Sequence, residues 1–188
     1  MAAVTPQRAT IDDLLKTEGK AELIGGRIVP LMPTGRKPNR AAGRIYSSLD
    51  AHAEATGRGE AYTDNMGFAI PELPSRRESF SPDASYYDGP FPTDSMRFIV
   101  GPPTFAVEVR GKTDSGPAAE RSMAAKRSDY FAAGTLVVWD VDPVAGLIHV
   151  HRAADPSTPT TYSRGQTAEA EPAVPGWTIA VERVLGPG

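Results

Sequence analysis

Apolar and polar residues alternate with a period of two at several points along the chain and recur at the helical period in two longer stretches. "FAVEVRGK", residues 105 to 112, sets Phe105, Val107 and Val109 against Ala106, Glu108 and Arg110, and apolar neighbours on both faces predict a central strand. "AYTDNMGFAI", "SPDASYY", "TLVVWDVD" and "GLIHVHR" read as further strands. "AELIGGRIVPL" reads as a hairpin, because Gly25-Gly26 supplies the positive φ of a two-residue turn. "TIDDLLK" predicts a short helix with Thr10 as N-cap and Asp12 and Asp13 complementing the dipole of its first turn. "NRAAGRIYSSLDAHAEATG" carries Ala42, Ile45, Leu49 and His52 or Ala53 at helical spacing and ends at Gly57. Pro117 to Ala133 reads as a second long helix closed by Gly134. Residues 153 to 176, rich in Pro, Thr and Ala, predict a loop with one short strand before "GWTIAVERVL".

Strands interspersed with one or two long helices predict an α/β or α+β sheet, with "FAVEVR", the 117 to 133 helix and "TLVVWDVD" as a βαβ-like unit. The 188 residues fit one domain, structured from about residue 10 to 185, which can bury roughly 70 % of the surface its unfolded chain exposes. Zero cysteines exclude disulfides and thiolate sites. "MAAVTPQRATIDDLL" lacks a basic segment followed by an apolar core, and no apolar run approaches about 18 residues, so the expectation is a soluble cytoplasmic protein with no membrane partner. With 20 Lys+Arg against 23 Asp+Glu, the net charge of −3 gives no long-range attraction to a polyanion. Any nucleic-acid contact then needs a local basic patch. Arg36, Lys37, Arg40 and Arg44, in a loop and the start of a helix, are the best phosphate-backbone track, although such a run is usually a solvated face.

Two motifs fail on inspection. "RGKT" lacks the first glycine of a phosphate-binding loop, Ala106 standing in its place, and follows a strand rather than forming a loop. "HVH" puts His149 and His151 on one strand face but names no third metal ligand, so both read as exposed strand histidines. A carboxylate pair survives. Glu108 sits mid-strand among apolar residues, where glutamate is rarely buried unless paired or bound. Asp83, after Pro82, opens the "SPDASYY" strand. Two strand-borne carboxylates are the set that Mg²⁺ takes from a protein, and the ion can activate water against a phosphodiester.

In the 117 to 133 helix, Ala119, Met123, Lys126, Tyr130 and Ala133 fall on one stripe, opposite Arg121, Ala125 and Ser128. A lysine inside that apolar stripe either snorkels to water or meets buried carboxylates, and Glu108 on the adjacent strand favours the second. Glu22 in "AELIGG" reads first as a solvent-facing strand residue.

"SPD", "FAVEVR" with its Gly/Ser-containing loop, "AAKRSDYFAAGTLVVWDVDP", "AELIGGRIVPLMPTG" and "GWTI" together resemble the Uma-two family of endonucleases in the PD-(D/E)xK nuclease superfamily, over about residues 10 to 185. The resemblance implies a restriction-endonuclease-like mixed central sheet flanked by helices, with an N-terminal hairpin. It implies a nuclease using Mg²⁺ or Mn²⁺ on nucleic acid, DNA foremost, and leaves a homodimer open. Carried over position by position, it makes Asp83 and Glu108 metal ligands, adds the backbone carbonyl of Val109, and offers Glu22 as a third carboxylate. The superfamily lysine two residues after the glutamate is Arg110 here. Arg110 shares a strand face with Glu108 and is within its reach, but a guanidinium fork tends to clamp a carboxylate. Lys126, a compact charge arriving from the helix, is expected to do the lysine's work. The competing readings are a non-catalytic nucleic-acid or protein-binding module that keeps the fold, and a buried ion-pair network of structural purpose.

Overall fold

A computed structural model of the chain describes residues 8–186. Residues 1–7, on which part of the leader reading rests, and residues 187–188 lie outside it. In chain order the elements are α1 (Ile11–Leu15), β1 (Ala21–Ile24), β2 (Arg27–Pro30), α2 (Arg36–Thr56), β3 (Glu60–Thr63), β4 (Phe68–Ala69), β5 (Ser79–Phe80), β6 (Ala84–Tyr87) and β7 (Ile99–Val100). They continue with β8 (Phe105–Val109), α3 (Pro117–Ala133), β9 (Val137–Asp142), β10 (Leu147–Arg152), β11 (Asp155–Ser163), β12 (Thr167–Glu169), β13 (Thr178–Ala180) and α4 (Val181–Leu185).

The local signals act as the residues require. Thr10 and Asp13 exchange side-chain and backbone hydrogen bonds in a capping box at α1. Gly25 and Gly26, at φ 61° and 69°, make the tight turn between β1 and β2. Gly57 and Gly134 stop α2 and α3 in left-handed conformations.

Six strands form the main sheet in the order β11-β10-β9-β8-β6-β3. Only β8 and β9 run parallel, joined by α3 as a βαβ unit, and the remaining neighbours are antiparallel. The fold is therefore a mixed sheet with helices on both faces. Against one face, α2 sets Ala42, Ile45, Leu49 and Ala53 over Phe105, Val107 and Trp139, with Trp177, Val181 and Val184 closing that core. On the other face, Tyr130 of α3 joins Ala106, Val138, Phe68, Phe80 and Ile99, partly supplied by the small β5-β4-β7 sheet. Successive residues of β8 thus feed opposite cores, and all five are buried. Among the described residues no helix is long and apolar enough to cross a membrane.

Three expectations change. "AYTDNMGFAI" is two strands, because Asn65 takes φ 76° and turns the chain between β3 and β4. α2 begins at Arg36 rather than Asn39, so the whole basic cluster is helical. Residues 153 to 176 contain the nine-residue β11 and also β12. β11 is an edge strand with hardly any buried face, so it has no apolar alternation to read, and its edge position tolerates Pro156 and Pro159.

Leu49, fully buried between α2 and the sheet, should cost about 2–5 kcal/mol of unfolding free energy when truncated to alanine. Glu54→Ala, on the exposed side of the same helix, should stay within about 0.5 kcal/mol in the same urea titration.

Candidate active site

The pairing register decides what meets at the middle of the sheet. In the antiparallel β6–β8 ladder Ala84 pairs with Val107, so the next position brings Asp83 opposite Glu108. The parallel β8–β9 ladder places Asp140 beside Glu108 on the other side. Three carboxylates thus stand at one level across three neighbouring chain segments.

Each has its own cations. Asp83 accepts from the Val109 N–H through Oδ2 at 2.8 Å and from Lys20 through Oδ1 at 2.7 Å. Glu108 accepts through Oε1 from Lys126 at 2.8 Å and from the Tyr130 hydroxyl at 2.6 Å, and among the described residues its Oε2 accepts no hydrogen bond. Asp140, essentially fully buried, is gripped by Arg110 at 2.7 and 2.6 Å and by Arg127 at 2.9 Å, while Glu120 closes that cluster from above.

Glu22 is not solvent-facing. It is 3 % exposed, because the hairpin docks on β5: the Leu23 N–H donates to Ser79 Oγ at 2.7 Å and the Glu78 N–H to the Leu23 carbonyl at 2.9 Å. That docking delivers Glu22 to Lys126 at 3.0 Å, to the Ser81 N–H at 3.0 Å and to the Arg77 guanidinium, which also holds Asp129 at 2.9 Å. Both Glu22 oxygens are occupied in this way.

These neighbours pull the ionisations apart. Burial raises the Glu108 carboxyl above its ordinary value, with Asp83 and Glu22 adding to the rise and Lys126 working against it. Burial works in the same direction on Glu22, but Lys126 and Arg77 bring it below the usual glutamate value. Lys126 loses hydration, yet Glu108 and Glu22 hold its amine above the ordinary 10.5. Burial, reinforced by the Glu108 and Glu22 charges, puts Tyr130 well above the usual phenol, so it stays a hydrogen-bond donor.

A cavity of about 610 Å³ opens over this level, lined among others by Lys20, Asp83, Glu108, Val109, Lys112 and Lys126. Leu31 to Gly35 form one wall, and Gly35 is the N-cap of α2. The structure therefore brings Asp83, Glu108, Val109 and Lys126 together and sets Glu22 behind Lys126. Arg110 is not brought to Glu108. Its fork takes Asp140, a closer match for two parallel N–H groups, and it does not line the cavity. Arg36, Lys37 and Arg40 are exposed on α2, but Arg44 is half-buried and donates to the Val184 carbonyl at 3.2 Å, tying α2 to α4. His149 bonds Thr161 at 2.9 Å, whereas His151 is buried rather than exposed, beneath β11 and near Arg127.

Among the described residues no three His, Cys, Asp or Glu side chains gather around one point as a metal site. Asp83 and Glu108 are nevertheless hard-oxygen donors with Oε2 of Glu108 uncommitted. Two carboxylates suffice for Mg²⁺, which keeps several waters, so these donors fit such an ion in kind. Sequence reasoning missed Lys20, Arg77 and Asp140. For Lys20 a signal existed: it lies two residues before Glu22, which strand alternation turns to the same side.

Removing Lys126 leaves two buried carboxylates without their shared cation. Lys126→Met should destabilise by about 3–5 kcal/mol at pH 7, and Lys126→Met/Glu108→Gln should recover part of that loss, as read by urea unfolding. The sign follows from the raised amine. Its stabilisation is complete below 10.5 and is lost only as pH rises through the higher folded value.

A family model described as "Uma2: Putative restriction endonuclease" matches residues 8–182. Curated proteins offer no sequence match. Among solved structures, the crystal structure of a putative nuclease belonging to DUF820 from Anabaena variabilis ATCC 29413 superposes with a TM-score of 0.70 at 16 % identity, covering 94 % of this chain and 97 % of that one. At that identity the likeness speaks for the shared fold.

Proposed function

The chain belongs to the Uma2 family of restriction-endonuclease-like proteins, and on that premise we propose that its cavity is the active site of a divalent-metal-dependent nuclease acting on nucleic-acid phosphodiesters, with DNA the first substrate to test. The observation that carries this reading is the cross-strand pair of Asp83 and Glu108 at a cavity floor, with a lysine from α3 on Glu108. Mg²⁺ or Mn²⁺, held by Asp83, Glu108 and the Val109 carbonyl, would supply Lewis acidity toward phosphate and water.

The chain's own residues do the rest. The Val109 N–H fixes the Asp83 carboxylate, and the Tyr130 hydroxyl fixes one oxygen of Glu108, which leaves the other uncommitted in a residue that lines the cavity. Lys126 keeps a positive charge beside the position of the scissile phosphate, where it stabilises charge developing on phosphate oxygens. Glu22 and Arg77 orient Lys126 from behind rather than touching substrate. Arg36, Lys37 and Arg40 follow directly on the cavity wall at Gly35 and form the backbone track, without Arg44. The reading of a purely structural ion-pair network has one observation in its favour, that Asp83 and Glu108 each already hold a lysine.

Incubation of labelled DNA and RNA with Mn²⁺ or Mg²⁺ should give cleavage that Asp83→Asn or Glu108→Gln abolishes. In folded Lys126→Met protein the rate should fall by about 10² to 10³ while metal affinity stays within a few fold, and Arg110→Lys should keep activity. If calorimetry detects no divalent ion on wild type or on any of these variants, the sheet keeps its carboxylates for structure alone. Arg36→Gln/Arg40→Gln should flatten the slope of log affinity against log salt by one to two units, at about 0.9 per phosphate contact on duplex DNA.

A further inference from the structure

Lys20 has no part in the chemistry assigned above, yet it occupies the centre of it. Its ammonium lies 2.7 Å from Oδ1 of Asp83 and 2.5 Å from Oδ1 of Asp64, and its side chain is largely buried against the cavity. Oδ2 of Asp83 is committed to the Val109 N–H, so Oδ1 is the oxygen left for an ion. An ammonium and a divalent cation make the same demand on that oxygen, and they cannot share it at full strength.

We infer that Lys20 is a displaceable counter-ion of the metal position. It neutralises Asp83 in the metal-free protein, yields Oδ1 to the entering cation, and stays with Asp64, which already holds it. The proposal rests on the metal position of the nuclease reading, and three features of the structure support it. Asp83 and Glu108 stand opposite one another and repel unless a cation stands by, which Lys126 supplies to Glu108 and Lys20 to Asp83. Asp64 lies in the turn between β3 and β4 with a side chain 43 % exposed, so it can hold an ammonium in a wet setting without closing the cavity. Lysine carries its charge as a compact point on a flexible stem, and because the ammonium already bridges both carboxylates, a small swing frees Asp83 while the contact with Asp64 is kept. Metal affinity is then set by competition as well as by the donors.

The test is calorimetric titration of Mn²⁺ into wild type, Lys20→Met, Lys20→Arg and Asp64→Asn, with thermal midpoints taken with and without metal. Lys20→Met should bind Mn²⁺ about tenfold more tightly, about 1.4 kcal/mol, and should have a lower metal-free midpoint that Mn²⁺ raises by more than in wild type. Lys20→Arg keeps the charge and the packing but clamps Asp83 with a fork, so its affinity should fall. Asp64→Asn removes the carboxylate that holds Lys20 beside Asp83, leaves the ammonium to Asp83 alone, and should also weaken binding. Equal or weaker binding by folded Lys20→Met, or tighter binding by Lys20→Arg, overturns the proposal, as does the lack of binding heat in all four proteins. Cleavage is a separate readout. Should the affinities move as stated while neither DNA nor RNA is cut, the counter-ion role stands and the nuclease reading falls.

Discussion

Carboxylates placed side by side in a protein interior repel one another with little water to screen them, and the centre of this molecule is organised around that repulsion. Asp83, Glu108 and Asp140 stand at one level across the sheet because the β6–β8 and β8–β9 registers put them there. Each is then served by a cation from a different direction: Lys20 from before the hairpin, Lys126 from α3, and Arg110 with Arg127 from the β8 end and α3. The elements that look peripheral are the ones that deliver these charges. Without the β1–β2 hairpin there is neither Lys20 nor Glu22, and without α3 neither Lys126 nor Arg127.

The cations differ in kind, and the difference separates two zones. Asp140 is held by two guanidinium groups with Glu120 completing the cluster, an arrangement of fixed forks that suits permanent structure. Asp83 and Glu108 are held by lysines that line a cavity, each of which also holds a second carboxylate. Arg110 falls in the first zone. Arg110 secures Asp140, and a lysine on α3 supplies the charge at Glu108.

Glu22 and Arg77 show how the second layer is built. Arg77 reaches Glu22 and Asp129 together, so β5, the hairpin and α3 are joined by one buried guanidinium. Stacking of Tyr130 on Phe80, with ring centroids 4.0 Å apart, fixes the hydroxyl that meets Glu108. The position of one carboxylate oxygen is therefore determined by aromatic packing, which transmits the rigidity of the core to the cavity floor.

Much of this was legible along the chain. Alternation in "FAVEVR" identified a central strand with a buried acid, Gly25-Gly26 a hairpin, and the stripe through Met123, Lys126 and Tyr130 the face of α3 that meets the sheet. These are local properties, set by the period of side-chain directions and by backbone preferences of single residues. The edge strand β11 escaped because a strand with no buried face leaves no period to read. Lys20 and Arg77, and the burial of Glu22, escaped for another reason: a charged side chain beside a strand has the same local pattern whether it faces water or a partner more than fifty residues away. The sequence by itself determined the two long helices, the hairpin and the central strands, the acid in one of those strands and the lysine in the apolar stripe. Only the tertiary structure decided that register sets Asp83 opposite Glu108, that Arg110 turns to Asp140, and that the hairpin buries Glu22, because pairing register and long-range charge contacts are chosen by the whole packed fold.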